Sequence, residues 1–156
     1  MTLNPNWFLN ATGQFTPIGS GQIALSTTTT TGFLTYVTST STVTINLNTT
    51  ATTFDGPFVT QGTSGVWLAF GSVTISDSAA PNQTHVKLWD GTTVIASGEA
   101  RVTALNVGAS VLLSGIISNP ASNLKVSMVC NTATGIMLYN FTPYLKDCYL
   151  TAIRIG

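Results

Sequence analysis

The runs HVKLW (His85 to Trp89) and TVIASGEARV (Thr93 to Val102) are β-branched, aromatic and alternating, and little more than Asp90-Gly91 separates them. An Asp-Gly pair between two such runs is the strongest short-range hairpin signal, because a two-residue type I′ turn needs positive φ at both central positions. This fixes an antiparallel pair, with Val86 and Leu88 on one face and His85, Lys87 and Trp89 on the other. The same reading extends outward. GVWLAFGSVTIS from Gly65 is apolar on both faces and then alternates, as in a strand that enters a core centrally. SVLLSGII, LKVSMVC, GIMLYN and CYLTAIRIG follow, separated by short turns at Asn119-Pro120, Asn131 to Gly135, and Pro143. No stretch carries a capped amphipathic helical period. The expected fold is all-β, a sandwich of about eight to ten antiparallel strands.

The first third is unusual. Of 28 threonines, 19 precede Ser64, and no charged residue occurs before Asp55. TVTINLN from Thr42 has the two-residue period of a half-buried strand, and TTTTTGFLTYV (Thr27 to Val37) reads as a strand at a sheet edge. Residues 1–21, with Pro5, Pro17 and three glycines, read as an irregular N-terminal arm carrying Trp7, Phe8 and Phe15, aromatic surface suited to anchoring on something else. Residues 22–156 are then the sandwich domain.

Charge limits what the chain can do. Only 6% of its 156 residues are charged, against about 25% in an ordinary soluble domain, and the net charge is zero. Five scattered cations balanced by five acids cannot replace counterions along a phosphate backbone, so nucleic acid is excluded as a partner. The start MTLNPNWFLNATGQ lacks a cationic segment followed by an apolar one, and the later apolar runs fall short of the ~18 residues of a membrane span. Neither secretion by a signal peptide nor membrane insertion is expected. A neutral, hydroxyl-rich surface also lacks the repulsion that keeps monomers apart, which points to an assembly subunit rather than a monomer solubilised by Thr and Ser.

The same scarcity argues against an enzyme. His85 is the one imidazole, and no spaced acid or nucleophile accompanies it. A glycosidase needs two facing carboxylates, one of raised pKa; Asp90 belongs to the hairpin turn, and Asp55 and Asp77 sit in loop-like contexts where Asp bonds its own backbone. One His and two distant cysteines, Cys130 and Cys148, cannot build a zinc site within a subunit, and no acidic calcium loop is present. No cofactor is expected. Among the aromatics, Trp67 lies in an apolar strand and reads as core. Trp89 beside the turn and Tyr144 in FTPYLKD are the candidates for ligand or receptor contact.

Several features in order resemble the jelly-roll trimers of complement globular heads and tumour-necrosis-factor ligands: Phe54 ahead of a loop, Ser64-Gly65-Val66-Trp67 opening a long apolar strand, VKLWDGTTVI, NVGASVLLSG, LKVSM, and terminal YLTAIRIG. Within that group, SGVWLAFGSVTISD, KLWDGTTVIASGEA and LTAIRIG look most like small virion proteins of tailed bacteriophages, used as head or tail fibres, spikes and capsid decorations. The likeness spans roughly residues 49–156 and carries no catalytic signature. It implies a homotrimer in the virion, assembled in the host cytoplasm, with itself and other virion proteins as partners. An alternative role is a receptor-binding module for a host-surface glycan or protein. Synthesis in a reducing cytosol makes Cys130 and Cys148 buried thiols, with a disulfide as the alternative.

Overall fold

A computed structural model describes residues 7–9, 15–17, 35–41, 43–79, 81–138, 140–141, 144–145 and 147–156. The chain forms two compact units, Met1–Phe33 and Leu34–Gly156. In the first, β1 (Trp7–Leu9) and β2 (Phe15–Pro17) pair antiparallel, Phe8 opposite Thr16. Trp7, Phe8 and Phe15 of the expected arm therefore lie on paired backbone; Thr27 to Leu34 fall outside the described residues.

The second unit runs β3 (Tyr36–Thr40), β4 (Ile45–Leu47), β5 (Phe54–Val59), β6 (Val66–Asp77), β7 (Asn82–Trp89), β8 (Val94–Val102), β9 (Ala109–Ser118), β10 (Leu124–Cys130), β11 (Gly135–Leu138), β12 (Asn140–Phe141), β13 (Tyr144–Leu145) and β14 (Tyr149–Arg154). Strands β5-β10-β7-β8 form a four-stranded sheet. The six-stranded sheet is built on β6, which pairs β9 along one edge; along the other it pairs β14 over Trp67–Ser72 and β11 over Thr74–Asp77, with β3 beyond β14 and β4 beyond β11. The chain crosses between sheets at β5, β6, β7, β9, β10 and β11, which gives spatial orders β3-β14-β6-β9 and β5-β10-β7-β8. This is the jelly roll, two antiparallel sheets face to face.

The alternation read from the sequence supplies the core. Trp67, Ala69, Val73, Ile75, Val111, Leu113, Leu150 and Ala152 from one sheet meet Val59, Val86, Leu88, Leu124, Val126 and Met128 from the other. A fully buried Leu such as Leu88 or Leu124 contributes about 1.5–3 kcal/mol by leaving water. Trp67 is core, its indole N–H donating to the Ser64 carbonyl at 2.9 Å.

Two local expectations are revised. The turn after Trp89 is not a two-residue type I′ turn, because Trp89 pairs with Val94 and the loop spans residues 90–93. Only Gly91 there has positive φ (94°); Asp90 instead accepts the Thr92 and Thr93 amides at Oδ1, a side-chain turn that removes the need for positive φ at the first position. Asp55 lies within β5 rather than in a loop, because β5 carries an irregularity that lets Gly56 and Pro57 sit inside a paired strand.

Candidate functional site

The outer faces of the sandwich differ chemically. On the six-stranded sheet, ladder register sets side chains in rows: Tyr36, Ile153, Leu68 and Ile116 lie side by side across four strands, and two residues along each strand lie Thr38, Thr151, Phe70 and Ser114. The next row is Thr40, Tyr149, Ser72 and Leu112. Tyr36 (65%), Leu112 (75%) and Ile116 (60%) stand largely exposed along these rows. Two pairs of hydroxyls on this face satisfy each other: Thr38 Oγ1 and Thr151 Oγ1 are 2.9 Å apart, and, one row beyond Ser72, Thr74 Oγ1 and Ser110 Oγ are 2.8 Å apart. Within the strands of this sheet the charged residues are Asp77, wholly buried, and Arg154 near the chain end. This face can lose its water without stranding a charge.

The opposite face carries Asp55, His85, Lys87, Glu99, Arg101 and Lys125. Trp89 is half-buried there. Its indole N–H donates to Ser127 Oγ at 2.7 Å, and Ser127 in turn donates to Asp55 Oδ1. The Lys87 ammonium sits 3.4 Å from the Trp89 ring centroid, and Lys125, 5.1 Å from that centroid, donates to Asp55 Oδ2 at 2.7 Å. With a cation on its ring, Trp89 is spoken for as a stacking platform. Burial raises the Asp55 pKa, but the bonds from Lys125 and Ser127 outweigh it and hold the carboxyl below the usual range.

Asp90 fixes one end of this face. It is 2% exposed, with Oδ1 taking the Thr92 and Thr93 amides and Oδ2 taking the Ala121 amide at 2.7 Å, so one carboxylate ties the β7–β8 loop to the β9–β10 loop. Burial raises its pKa, and the amides of Thr93, Ala121 and Thr92 more than offset this, leaving it below the ordinary 3.8. A depressed folded-state pKa contributes stability that is complete above the unfolded value and disappears as pH falls through the folded one. Asp90→Asn, which turns an amide donor toward the Ala121 N–H, is expected to cost about 1–2 kcal/mol at neutral pH. Urea unfolding of both proteins should show that gap narrowing below about pH 4; a gap of constant width would contradict the assignment.

Both carboxyls are shifted down, opposite to the raised pKa that a general acid needs. His85 is largely exposed, 4.0 Å from Glu99 through Nδ1, and hydrogen-bonds no hydroxyl among the described residues. Glu99 itself is committed first to Arg101 and then to Gln83, which lower its pKa. A shallow hollow of about 530 Å³ beside His85 and Glu99 thus lacks an activated nucleophile. Asp77 accepts its own loop's Ala79 amide, as expected, and is also a buried hub that accepts from Asn82, Thr132 and Thr134.

Cys130 and Cys148 are free and buried, without a disulfide. Burial, opposed by the Thr74 amide and aided by Asp147, pushes the Cys148 thiol up to about 11, so it is an unreactive donor to the Leu138 carbonyl. Among the described residues no three His, Cys, Asp or Glu side chains come together as metal ligands. No described helix is long and apolar enough to cross a membrane.

Of the candidates for contact, the structure brings Trp89 into the charged cluster. The Tyr144 backbone lies in β13, and its side chain falls outside the described residues, as do those of Trp7, Phe8 and Phe15. Sequence reasoning missed Phe58, 55% exposed beside Lys125. The signal available for it was Gly56-Pro57 inside a β-rich run, which marks a bulge as well as a loop.

No protein-family model matches the sequence, and no curated protein matches it. Among solved structures, that titled "Structure of Eiger TNF from S. frugiperda" is similar to this chain with a TM-score of 0.49 and 7% identity, over 79% of this chain and 93% of that one.

Proposed function

We propose that the chain is a non-enzymatic structural subunit that assembles as a homotrimer and serves in a bacteriophage virion as a fibre, spike or capsid decoration. The observation that carries the assembly is the uncharged outer face of the six-stranded sheet, where Tyr36, Phe70, Leu112 and Ile116 stand exposed among hydroxyl residues, of which Thr38 and Thr151, and Thr74 and Ser110, pair with each other. A closed cyclic arrangement covers such a face on every copy and leaves no growing end. Burying Leu112 and Ile116 contributes about 1.5–3 kcal/mol each. The choice of three copies rests on the resemblance of Phe54, Ser64-Gly65-Val66-Trp67, VKLWDGTTVI, NVGASVLLSG, LKVSM and YLTAIRIG to the jelly-roll trimers, and that of a virion on the likeness of SGVWLAFGSVTISD, KLWDGTTVIASGEA and LTAIRIG to small phage virion proteins. In this reading the segment bearing Trp7, Phe8 and Phe15 anchors the subunit to other virion proteins, and the charged face points outward.

Sedimentation velocity tests the assembly. The protein is expected at three times 16.3 kDa, and the double substitution Leu112→Glu, Ile116→Glu is expected to give folded monomers, since each interface would have to bury charges without partners. A wild-type protein that stays monomeric at every concentration sinks the reading. The virion assignment is tested by immunogold labelling of the intact particle; unlabelled particles from cells that make the protein would overturn it.

A further inference from the structure

We propose that the hollow beside Phe58 is a binding site for a neutral saccharide. The backbone shows it first. Phe58 pairs with Lys125 and Asp55 pairs with Ser127, so three residues of β5 span two of β10. In a regular strand, residues three apart face opposite sides. The bulge at Gly56-Pro57 brings both Asp55 and Phe58 to the outer face, as the Lys125 and Ser127 bonds to Asp55 confirm. A bulge that re-aims a side chain beside an open hollow is a recurrent device of binding sites.

The hollow has a volume of about 480 Å³, within the range of small-ligand sites, and Phe58, Thr92, Ser122, Asn123, Asp55 and Lys125 border it. Its chemistry selects the ligand class. The exposed Phe58 ring offers an apolar plane on which the C–H face of a sugar ring can lie. The side chains of Thr92, Ser122 and Asn123 make no hydrogen bond among the described residues, so hydroxyl and amide groups are available to sugar hydroxyls. The charged groups are all engaged: Asp55 is paired with Lys125, and Asp90, 2% exposed, is committed to three amides. An anion or a cation would therefore find no exposed charged group free to pair with it, whereas an uncharged polyol can bond the Asp55–Lys125 pair through both donor and acceptor. Both loops that bear the polar groups are already tied together by Asp90, so little ordering remains to be done on binding.

The site lies within one subunit, so it stands apart from the assembly reading. A monomer that binds sugar would end the trimer and leave the hollow intact; a trimer that binds none would do the reverse. In a trimer, three weak sites would reinforce one another on a glycan surface.

The test is an NMR titration of the ¹⁵N-labelled full chain with neutral oligosaccharides of glucose, galactose and N-acetylglucosamine, alongside the charged monosaccharides glucuronate and glucosamine. Expected are amide shifts at Phe58, Thr92, Asn123 and Lys125 with at least one neutral sugar, and weakening by about tenfold or more in Phe58→Ala. Asn123→Ala, at a half-buried loop position, is expected to weaken binding severalfold and supplies a second reading if Phe58→Ala perturbs the fold. Overturning results are an absence of shifts with every sugar, shifts elsewhere on the surface, affinity unchanged in both variants, or preference for either charged sugar.

Discussion

Asp77→Ala is expected to lower the unfolding free energy by about 4 kcal/mol, a large share of what a domain of this size possesses. Asp77 is the last residue of β6 and is wholly buried. Its Oδ1 accepts the Ala79 amide at 2.8 Å; its Oδ2 accepts from Asn82 Nδ2 at 3.0 Å, Thr132 Oγ1 at 2.9 Å and Thr134 Oγ1 at 3.0 Å. One side chain therefore ties the β6–β7 connection to the β10–β11 turn, and its own carbonyl accepts the Asn106 amide from a third loop. Removing the carboxylate leaves the buried Asn82 amide and the partly buried Thr132 hydroxyl facing a void, which costs more than the bonds contribute when made. Asp77→Asn should cost about half as much, because its oxygen can still take the Ala79 amide and the two threonine hydroxyls can turn to accept. Urea unfolding followed by tryptophan fluorescence, at one fixed subunit concentration, measures both. Equal losses for the two variants would show that the donors are not what matters.

Gly65→Ala is the second large effect, at about 3 kcal/mol. Gly65 has φ +93°, and a Cβ there would lie 2.6 Å from the Gly156 carbonyl oxygen and 2.7 Å from Arg154 Nε. That oxygen is in use, accepting the Val66 amide at 2.7 Å, while Ile155 N–H donates to the Val66 carbonyl. Gly65 cannot retreat, since its N–H is held by Asn119 Oδ1 and its carbonyl by the Asn119 amide. Gly62 separates the two causes. It has a similar φ of +87° with open space around its Cβ position, so Gly62→Ala carries the backbone cost alone, about 1–2 kcal/mol. Thermal unfolding of the two variants side by side should place Gly65→Ala clearly lower; equal midpoints would refute the contact argument.

Most of the strands were legible because their cause is local. LKVSMVC is β10 from end to end, and HVKLW and TVIASGEARV fall within or across β7 and β8, since period-two alternation is written residue by residue. His85, Lys87 and Trp89 share an outer face for the same reason. The site was less legible. Trp89 was picked out, but the Lys87 ammonium that occupies its ring comes from packing, and Phe58 was hidden behind a Gly-Pro pair that reads equally as a loop.

Low charge, alternation and the Asp-Gly turn determined by themselves that this chain forms an antiparallel β fold with few groups able to do acid–base chemistry. Tertiary structure decided where the few charges went. Asp55 and Lys125 are 70 positions apart, and only the β5–β10 pairing joins them on the polar face, while β3, β14, β6 and β9 bring hydroxyl and apolar residues together on the other. Alternation tells each strand which of its sides is buried; which strand becomes its neighbour, and so which exposed sides merge into one surface, depends on pairings between distant segments that no local pattern contains.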